Sequence, residues 1–525
     1  MVKISLNNNR WVYKDNFWFT GFLISNNRYY RKYDAVDILK REFININEEE
    51  EEEEEFLEKA NQLNGHFTII ITDKNGEATI ITDKIRSYPL FLVKKEDTLL
   101  ITDQNEKCFN IKSSLTQNRD ASDLFLRCGY TLNNSTLFNE IKITEAAQII
   151  KTDKGDASFV NYLKYYSENE KRGEDLQTLS KQLSSILDNI FKRLCSNIGS
   201  SPVAIPLSGG YDSRLIAVMM KKYHTGKIYL YTYGRRNNEE VKAAKLTAER
   251  LNLKWIFIEY NKNNTTGFIN SSTFKNYICY AANYSSMFFM QDYFALKEIK
   301  EKKLFPQNTV FIPGHSADLV AGSHLIEDPK KLDRKRQIDI IFKTHFNNIK
   351  TGYNKRLQII EEIKKTLPKN IEPLDYWSMH QRQPKFIVNS CRAFEFWGYQ
   401  YLLPFWEDQF HLFFLKLPVT MRLNKKLYNK TVKDIFNQYN LNFVNELEPG
   451  RRKKELQIFK NRIKQLFPAA LVNLFTKNRS PFLYDIITKE MKRATPPSFK
   501  KTPTQLNFYN AYIMQWYLFY LFGKK

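Results

Sequence analysis

Residues 206–214 read Pro206-Leu207-Ser208-Gly209-Gly210-Tyr211-Asp212-Ser213-Arg214. They stand between a short apolar run, Val203-Ala204-Ile205, and an apolar-periodic run at 215–220. That order predicts a strand, a tight glycine turn and a helix start. The geometry makes an anion site. Two glycines let the backbone turn sharply and approach a ligand closely. The first N–H groups of the helix point unpaired at whatever sits there, and the helix dipole favours negative charge. Ser208 and Ser213 add hydroxyl donors. Asp212 would repel a phosphate, so it makes sense as the holder of a divalent cation between itself and the phosphates. An ordinary Ser-Gly-Gly loop is the plain alternative. The flanking strand and helix, with a carboxylate between the serines, favour pyrophosphate binding. The Walker pattern, with Gly-Lys-Ser/Thr closing a longer glycine loop, is absent from the chain.

The stretch resembles the PP-loop of ATP pyrophosphatases, and most closely the Leu-Ser-Gly-Gly-x-Asp-Ser of the asparagine synthetase family. Members of that family cleave ATP between its α and β phosphates. The resemblance implies ATP with Mg²⁺ as the bound cofactors, and Leu207, Ser208, Gly209, Gly210, Asp212 and Ser213 as nucleotide-site residues.

A chain of 525 residues predicts two to four domains, and 42 % hydrophobic content is ample for sizeable cores. No apolar run reaches roughly 18 residues, so no membrane span is expected. The start at Met1 lacks the long apolar stretch of a signal peptide. Five scattered cysteines without CxxC spacing fit reduced thiols in a cytoplasm better than disulfides or zinc. Lys plus Arg outnumber Asp plus Glu by 80 to 57, a formal +23. Such a balance suits nucleic acid, an acidic membrane surface or anionic substrates; a lysine-rich background composition explains it equally well. No RNA-binding or helix-turn-helix signature stands out, so nucleic acid is not the expected partner.

Residues 1 to about 160 read as β-rich. Strand-like segments lie at 11–13, 17–22, 67–73, 78–82 and 98–102, with an Asn75-Gly76 hairpin turn. Short connections between them imply an antiparallel sheet. The glutamates at 48–55 read as a solvated loop or fraying helix start. Leu63-Asn64-Gly65-His66-Phe67, with residues 83–91, is similar to the glutaminase domain of asparagine synthetases, which has the N-terminal nucleophile fold. In that family catalysis needs a cysteine at the mature N-terminus, where this chain has Val2 after Met1. The resemblance implies a retained scaffold, residues 1–165, whose glutamine hydrolysis is lost.

The remainder, 166–525, reads as strand–helix alternation. A helix at 176–194 leads into the PP-loop strand, followed by a strand at 227–234, a helix at 239–251 and a strand at 255–258. The expected fold class is therefore α/β: an N-terminal nucleophile-hydrolase-like sheet domain, then a PP-loop doubly wound parallel-sheet synthetase domain. Ligands of open parallel sheets sit at strand carboxyl ends. The resemblance makes Thr232, Tyr233 and Gly234 the adenine contacts.

Val310-Phe311-Ile312-Pro313-Gly314-His315-Ser316-Ala317-Asp318 predicts a buried strand, a turn and a helix with an acid in its first turns. It resembles the family's Ser-Gly-Glu-Gly-Ala-Asp-Glu stretch, which adds Pro313 and Gly314 to the nucleotide site. A second carboxylate at another strand end pairs Asp212 with Asp318 as Mg²⁺ ligands; a helix-capping role is the plain alternative for Asp318. The family's glutamate is His315 here, either a general base or a local structural residue. Around Pro404 and Phe405 the family's arginine and aspartate are Leu402 and Glu407, which suggests a substrate other than aspartate. Within Arg451-Arg452-Lys453-Lys454, either Lys453 or Lys454 could match the lysine that stabilises the adenylation transition state; a solvated basic loop is the alternative.

By resemblance the reaction is adenylation of a carboxylate by ATP, then attack by ammonia or an amine to form an amide. A sugar acid or an amino-acid-like carboxylate is the expected substrate, with surface-glycan or secondary-metabolite synthesis as the setting. A homodimer is compatible with the sequence. Two other readings stay open: a PP-loop tRNA-modifying enzyme, and a nucleotide-binding pseudo-enzyme.

Overall fold

The computed structural model describes residues 1–43, 50–110, 115–163, 173–236, 238–325, 327–369, 371–442, 480–504 and 508–523. The N-terminal part, up to Asn161, builds two sheets. Strands β1 (Val2–Ser5), β2 (Val12–Lys14), β3 (Phe17–Ser25) and β4 (Arg28–Arg31) lead into helices α1 (Lys32–Phe43) and α2 (Glu50–Gln62). Strands β5 (Gly65–Thr72), β6 (Ala78–Thr82), β7 (Phe91–Lys95), β8 (Thr98–Thr102), β9 (Ile141–Ile143), β10 (Gln148–Asp153) and β11 (Asp156–Asn161) follow. One sheet has the order β1-β8-β7-β9. The other runs β11-β10-β6-β5-β3-β2, with β4 on β3.

The two-residue period of a strand decides how these sheets stack. In β5, Ile70 faces a core shared with Ile80, Leu92, Leu99, Ile101 and Ile150 from both sheets. Its neighbours Phe67 and Ile69 face the other way, onto Ala35, Val36 and Leu39 of α1 and Ala60 of α2. The layers are thus helix, sheet, sheet. The pairing is not wholly antiparallel as the turns predicted, because β1 runs parallel to β8. That contact joins segments almost a hundred residues apart, which no hairpin signal encodes.

A third sheet is wholly parallel. It contains β12 (Val203–Pro206), β13 (Ile228–Gly234), β14 (Lys254–Glu259), β15 (Val310–Phe311) and β16 (Gln400–Tyr401), in the order β14-β13-β12-β15-β16. Val203, Ala204 and Ile205 are fully buried, as expected for a strand covered on both faces. Helices α3 (Leu176–Ile198), α4 (Tyr211–Tyr223) and α5 (Glu239–Leu251) connect and cover it. Relative to β12 the chain first builds outward on one side, then returns to the other. This doubly wound pattern puts the topological switch point between β12 and β15.

Buried polar ties join this N-terminal part to the rest of the chain. Arg193 of α3 holds the Glu407 carboxylate, which also accepts from Tyr29 Oη at 2.6 Å. Lys84 pairs with Asp408 at 2.6 Å, and Lys385 with Glu145 at 2.6 Å. Each charge is largely withdrawn from water and matched by an opposite one, so losing either partner would strand the other. Among the described residues no helix is long and apolar enough to cross a membrane.

Candidate functional site

A cavity of about 590 Å³ opens at the switch point. Ser208, Gly209, Gly210, Tyr211, Asp212 and Ser213 line it from the β12–α4 connection, and Gly314 and Asp318 from the segment after β15. Lys425, Asn429 and Lys433 close it from the beginning and body of helix α6 (Lys426–Asn437). Their four-residue spacing places them on one stripe.

The loop is held by its own hydroxyls. The Ser208 N–H donates to Ser213 Oγ at 3.0 Å, the two Oγ atoms are 3.0 Å apart, and the Gly210 N–H donates to Ser208 Oγ at 3.1 Å. Gly210 caps α4 without any side-chain hydrogen bond, so first-turn amides are left for a ligand. The Gly209 N–H donates to the carboxylate of Glu240, an exposed side chain at the start of α5. An anionic oxygen therefore already sits on a loop amide, the interaction a phosphate oxygen would make there.

Neither loop glycine adopts the left-handed backbone that the turn suggested. Close packing explains Gly209, where an added Cβ would lie 3.1 Å from Ala243 Cβ. The tighter case is Gly314. A Cβ there would meet Ser213 N at 2.7 Å and Ser213 Cα at 2.9 Å, both backbone atoms that cannot swing aside. Gly314→Ala should therefore push the two loops apart, costing about 1–3 kcal/mol of stability. Denaturant unfolding of the variant checks this; an unchanged midpoint would show that the loops do not meet so closely.

Asp212 and Asp318 come together. The Asp318 backbone N–H donates to Asp212 Oδ2 at 3.0 Å, and Tyr428 Oη donates to Asp212 Oδ1 at 2.7 Å. Burial, then the neighbouring Asp318 charge, pushes the Asp212 carboxyl up to about 7, against the two donors and Lys425. Two carboxylates brought together beside an anion-binding loop form a donor set suited to a hard divalent cation. No cluster of three or more His, Cys, Asp or Glu occurs among the described residues. An ion held here would complete its shell with water and phosphate oxygens, as Mg²⁺ commonly does.

The other expected residues stand outside this cavity's lining. Leu207 is buried beneath the loop, donating its N–H to Tyr231 O and accepting from Thr232 Oγ1 at 2.8 Å. Thr232 is buried and accepts from Trp255 Nε1 at 3.0 Å. Tyr233 donates its hydroxyl to Asp292 at 2.6 Å, and burial pushes that carboxyl up to about 6. Gly234, at φ +126°, is covered by Pro481, whose carbonyl would lie 2.6 Å from an added Cβ. Arg235 fixes this cover by donating its N–H to Pro481 O and its guanidinium to Ser480 O and Asp485. Pro313 is buried before Gly314. His315 turns to Cys391, with Nδ1 3.3 Å from Sγ, and burial lowers its imidazole to about 4. It is neutral at pH 7 and has little appetite for a proton. Lys453 and Lys454 lie outside the described residues. Glu407, which stands where the family has an aspartate, is spent on Arg193 and Tyr29.

Sequence reasoning did not single out Asn429, Lys433, Tyr428 or Glu240 for the site. The four-residue repeat of Lys425, Asn429 and Lys433 was the available signal.

Residues 187–444 match the family model described as asparagine synthase. Among solved structures, an NH3-dependent NAD synthetase from Campylobacter jejuni subsp. jejuni NCTC 11168 is 15 % identical. That match covers 42 % of this chain and 97 % of the other, with a TM-score of 0.21. The U34-tRNA thiolase NcsA from Methanococcus maripaludis is 14 % identical over 53 % of this chain and 84 % of its own, also with a TM-score of 0.21. No curated protein matches the chain.

Proposed function

Since residues 187–444 belong to the asparagine synthase family, we propose that this chain is an ATP-dependent synthetase that adenylates a carboxylate and passes the acyl group to ammonia or an amine. The products would be an amide, AMP and pyrophosphate. The observation that carries the reading is the meeting of Asp212 and Asp318 at the switch point, beside the open end of α4. In this reading the amides and hydroxyls of Ser208, Gly209, Gly210 and Ser213 take the β and γ phosphates. Asp212 and Asp318 hold Mg²⁺, which when bound would neutralise phosphate charge. Lys425 and Lys433 add positive charge on the facing wall, where negative charge grows as pyrophosphate leaves. Tyr428 orients Asp212 by its hydrogen bond.

The reading divides the chain into a glutaminase-like scaffold, 1–165, and a synthetase domain, 166–525. The scaffold is not proposed to release ammonia. All five cysteines are buried or partly buried, and burial raises each thiol above its ordinary value. Incubation with glutamine should give no glutamate; measurable glutamate would contradict this part of the proposal.

The test is a pyrophosphate-release screen across sugar acids and amino-acid-like carboxylates, with and without ammonium. At least one acid should give ATP-dependent pyrophosphate and AMP. Lys433→Gln should then lower the rate about 100- to 1,000-fold, the range for removing one transition-state donor. An unchanged rate would take Lys433 out of the site. If salt-sensitive tRNA binding stimulated turnover while every small acid failed, the tRNA-modifying reading would replace this one.

A further inference from the structure

A second cleft, of about 620 Å³, lies between the first half of the chain and the edge strand β16. It shares no lining residue with the cavity at the switch point. Its charged lining consists of Arg10, Arg31, Lys32 and Glu395, three cations to one carboxylate.

That carboxylate is already engaged. Glu395 accepts from Tyr280 Oη at 2.6 Å, pairs with Arg10 at 3.4 Å, and has Arg392 at 3.7 Å. Arg31 meets only a ring face among its described contacts, with its guanidinium carbon 5.1 Å from the Phe22 centroid. No carboxylate lies within ion-pair distance of Arg31 or Lys32 among the described residues. The rest of the lining is largely ring and apolar surface, including Phe19, Phe22, Tyr88, Tyr399 and Tyr401.

We propose that this cleft binds a small organic dianion, with Arg31 and Lys32 taking its oxyanion groups and the rings holding a compact apolar or cyclic body. The charge count selects a dianion, because two lining cations stay unneutralised after Glu395 is counted. The planar guanidinium of Arg31 suits a carboxylate or phosphate fork, and the Lys32 ammonium suits a point contact beside it. The shared chemistry is two negative charges on oxygen, from a dicarboxylate or from a phosphate monoester. Lys32 is exposed and Arg31 partly exposed, so such a ligand reaches both from solvent.

Calorimetric titration of the full chain, at constant ionic strength, tests this with succinate, phenyl phosphate, inorganic phosphate and neutral glutamine. Either succinate or phenyl phosphate should bind saturably to the unaltered chain and identify the source. Affinity should fall at least tenfold in Arg31→Gln/Lys32→Gln, and partly recover in Arg31→Lys/Lys32→Arg, which keeps both charges. Asp212→Asn should leave this binding unchanged, which separates the cleft from the phosphate loop whatever the fate of the catalytic proposal. Circular dichroism and the melting temperature of the double-glutamine variant establish that it is folded. The proposal is overturned if neither organic dianion binds, if affinity survives the double substitution, if inorganic phosphate binds as tightly as both organic dianions, or if glutamine alone binds.

Discussion

Asp212→Asn should abolish pyrophosphate release, by at least about a thousandfold, while making the protein more stable at pH 8 in the absence of magnesium. The first effect follows from losing a charged oxygen at the proposed metal site. The second follows from the carboxyl's raised pKa of about 7. Between about pH 4 and 7 the folded chain holds a proton there that the unfolded chain has released, so stability falls as pH rises through this window. A neutral amide escapes that loss. The gain at pH 8 should be on the order of 1–3 kcal/mol, after discounting for the side chain's access to cavity water. Thermal unfolding at pH 5 and pH 8 reads it out: the variant's advantage should appear at pH 8 and shrink at pH 5. Magnesium with ATP should stabilise the unaltered chain and not the variant. A variant less stable than the parent at pH 8 would mean that Asp212 serves the fold, not a ligand.

The second large effect concerns Asp375. Arg422 grips it with both terminal nitrogens, at 3.0 and 2.6 Å, and His324 Nε2 lies 2.6 Å from Oδ1. Arg422 is 1 % exposed. The Arg422 charge and the His324 contact outweigh burial and hold the Asp375 carboxyl well below its usual range. Replacing it with asparagine leaves a guanidinium buried without its counter-charge, which should cost about 3–5 kcal/mol. The sign with pH is opposite to that of Asp212. This stabilisation is present above the unfolded carboxylate pKa and is lost as pH falls below about 4. The damage should also reach the site. The Arg422 carbonyl packs on Gly322, where an added Cβ would lie 2.5 Å away, and three residues later Lys425 enters the cavity from a left-handed backbone position. Asp375→Asn should thus lower the melting temperature and weaken ATP binding together. Loss of stability with unchanged ATP affinity would confine Asp375 to the fold.

The two acids differ in how easily they could be read from the sequence. Asp212 stands inside nine contiguous residues whose order alone dictates strand, turn and helix, so its setting was legible. Asp318 was legible for the same reason, since a buried run ends in Pro313-Gly314 just before it. The strand–helix alternation that follows fixed the parallel sheet, and the order around β12 places both acids at one end of it. What could not be read depends on distant chain. Thr232, Tyr233 and Gly234 lie at a strand's carboxyl end, yet Pro481, almost 250 residues downstream, covers that end. His315 looked available until Cys391 packed beside it. Lys433 and Asn429 carry no motif of their own and enter the site only because α6 lies across the switch point. The parallel partnership of β1 and β8 was hidden likewise, because neither strand's pattern records the direction of a distant neighbour.

The central claim is that two aspartates and a serine–glycine loop grip the phosphates of ATP through magnesium. Calorimetric titration of ATP into the full chain, with and without Mg²⁺, tests it most directly. Binding should require the metal, be displaced by pyrophosphate, and weaken at least tenfold in both Asp212→Asn and Asp318→Asn. ATP binding that is indifferent to Mg²⁺ and unchanged in both variants would contradict the account.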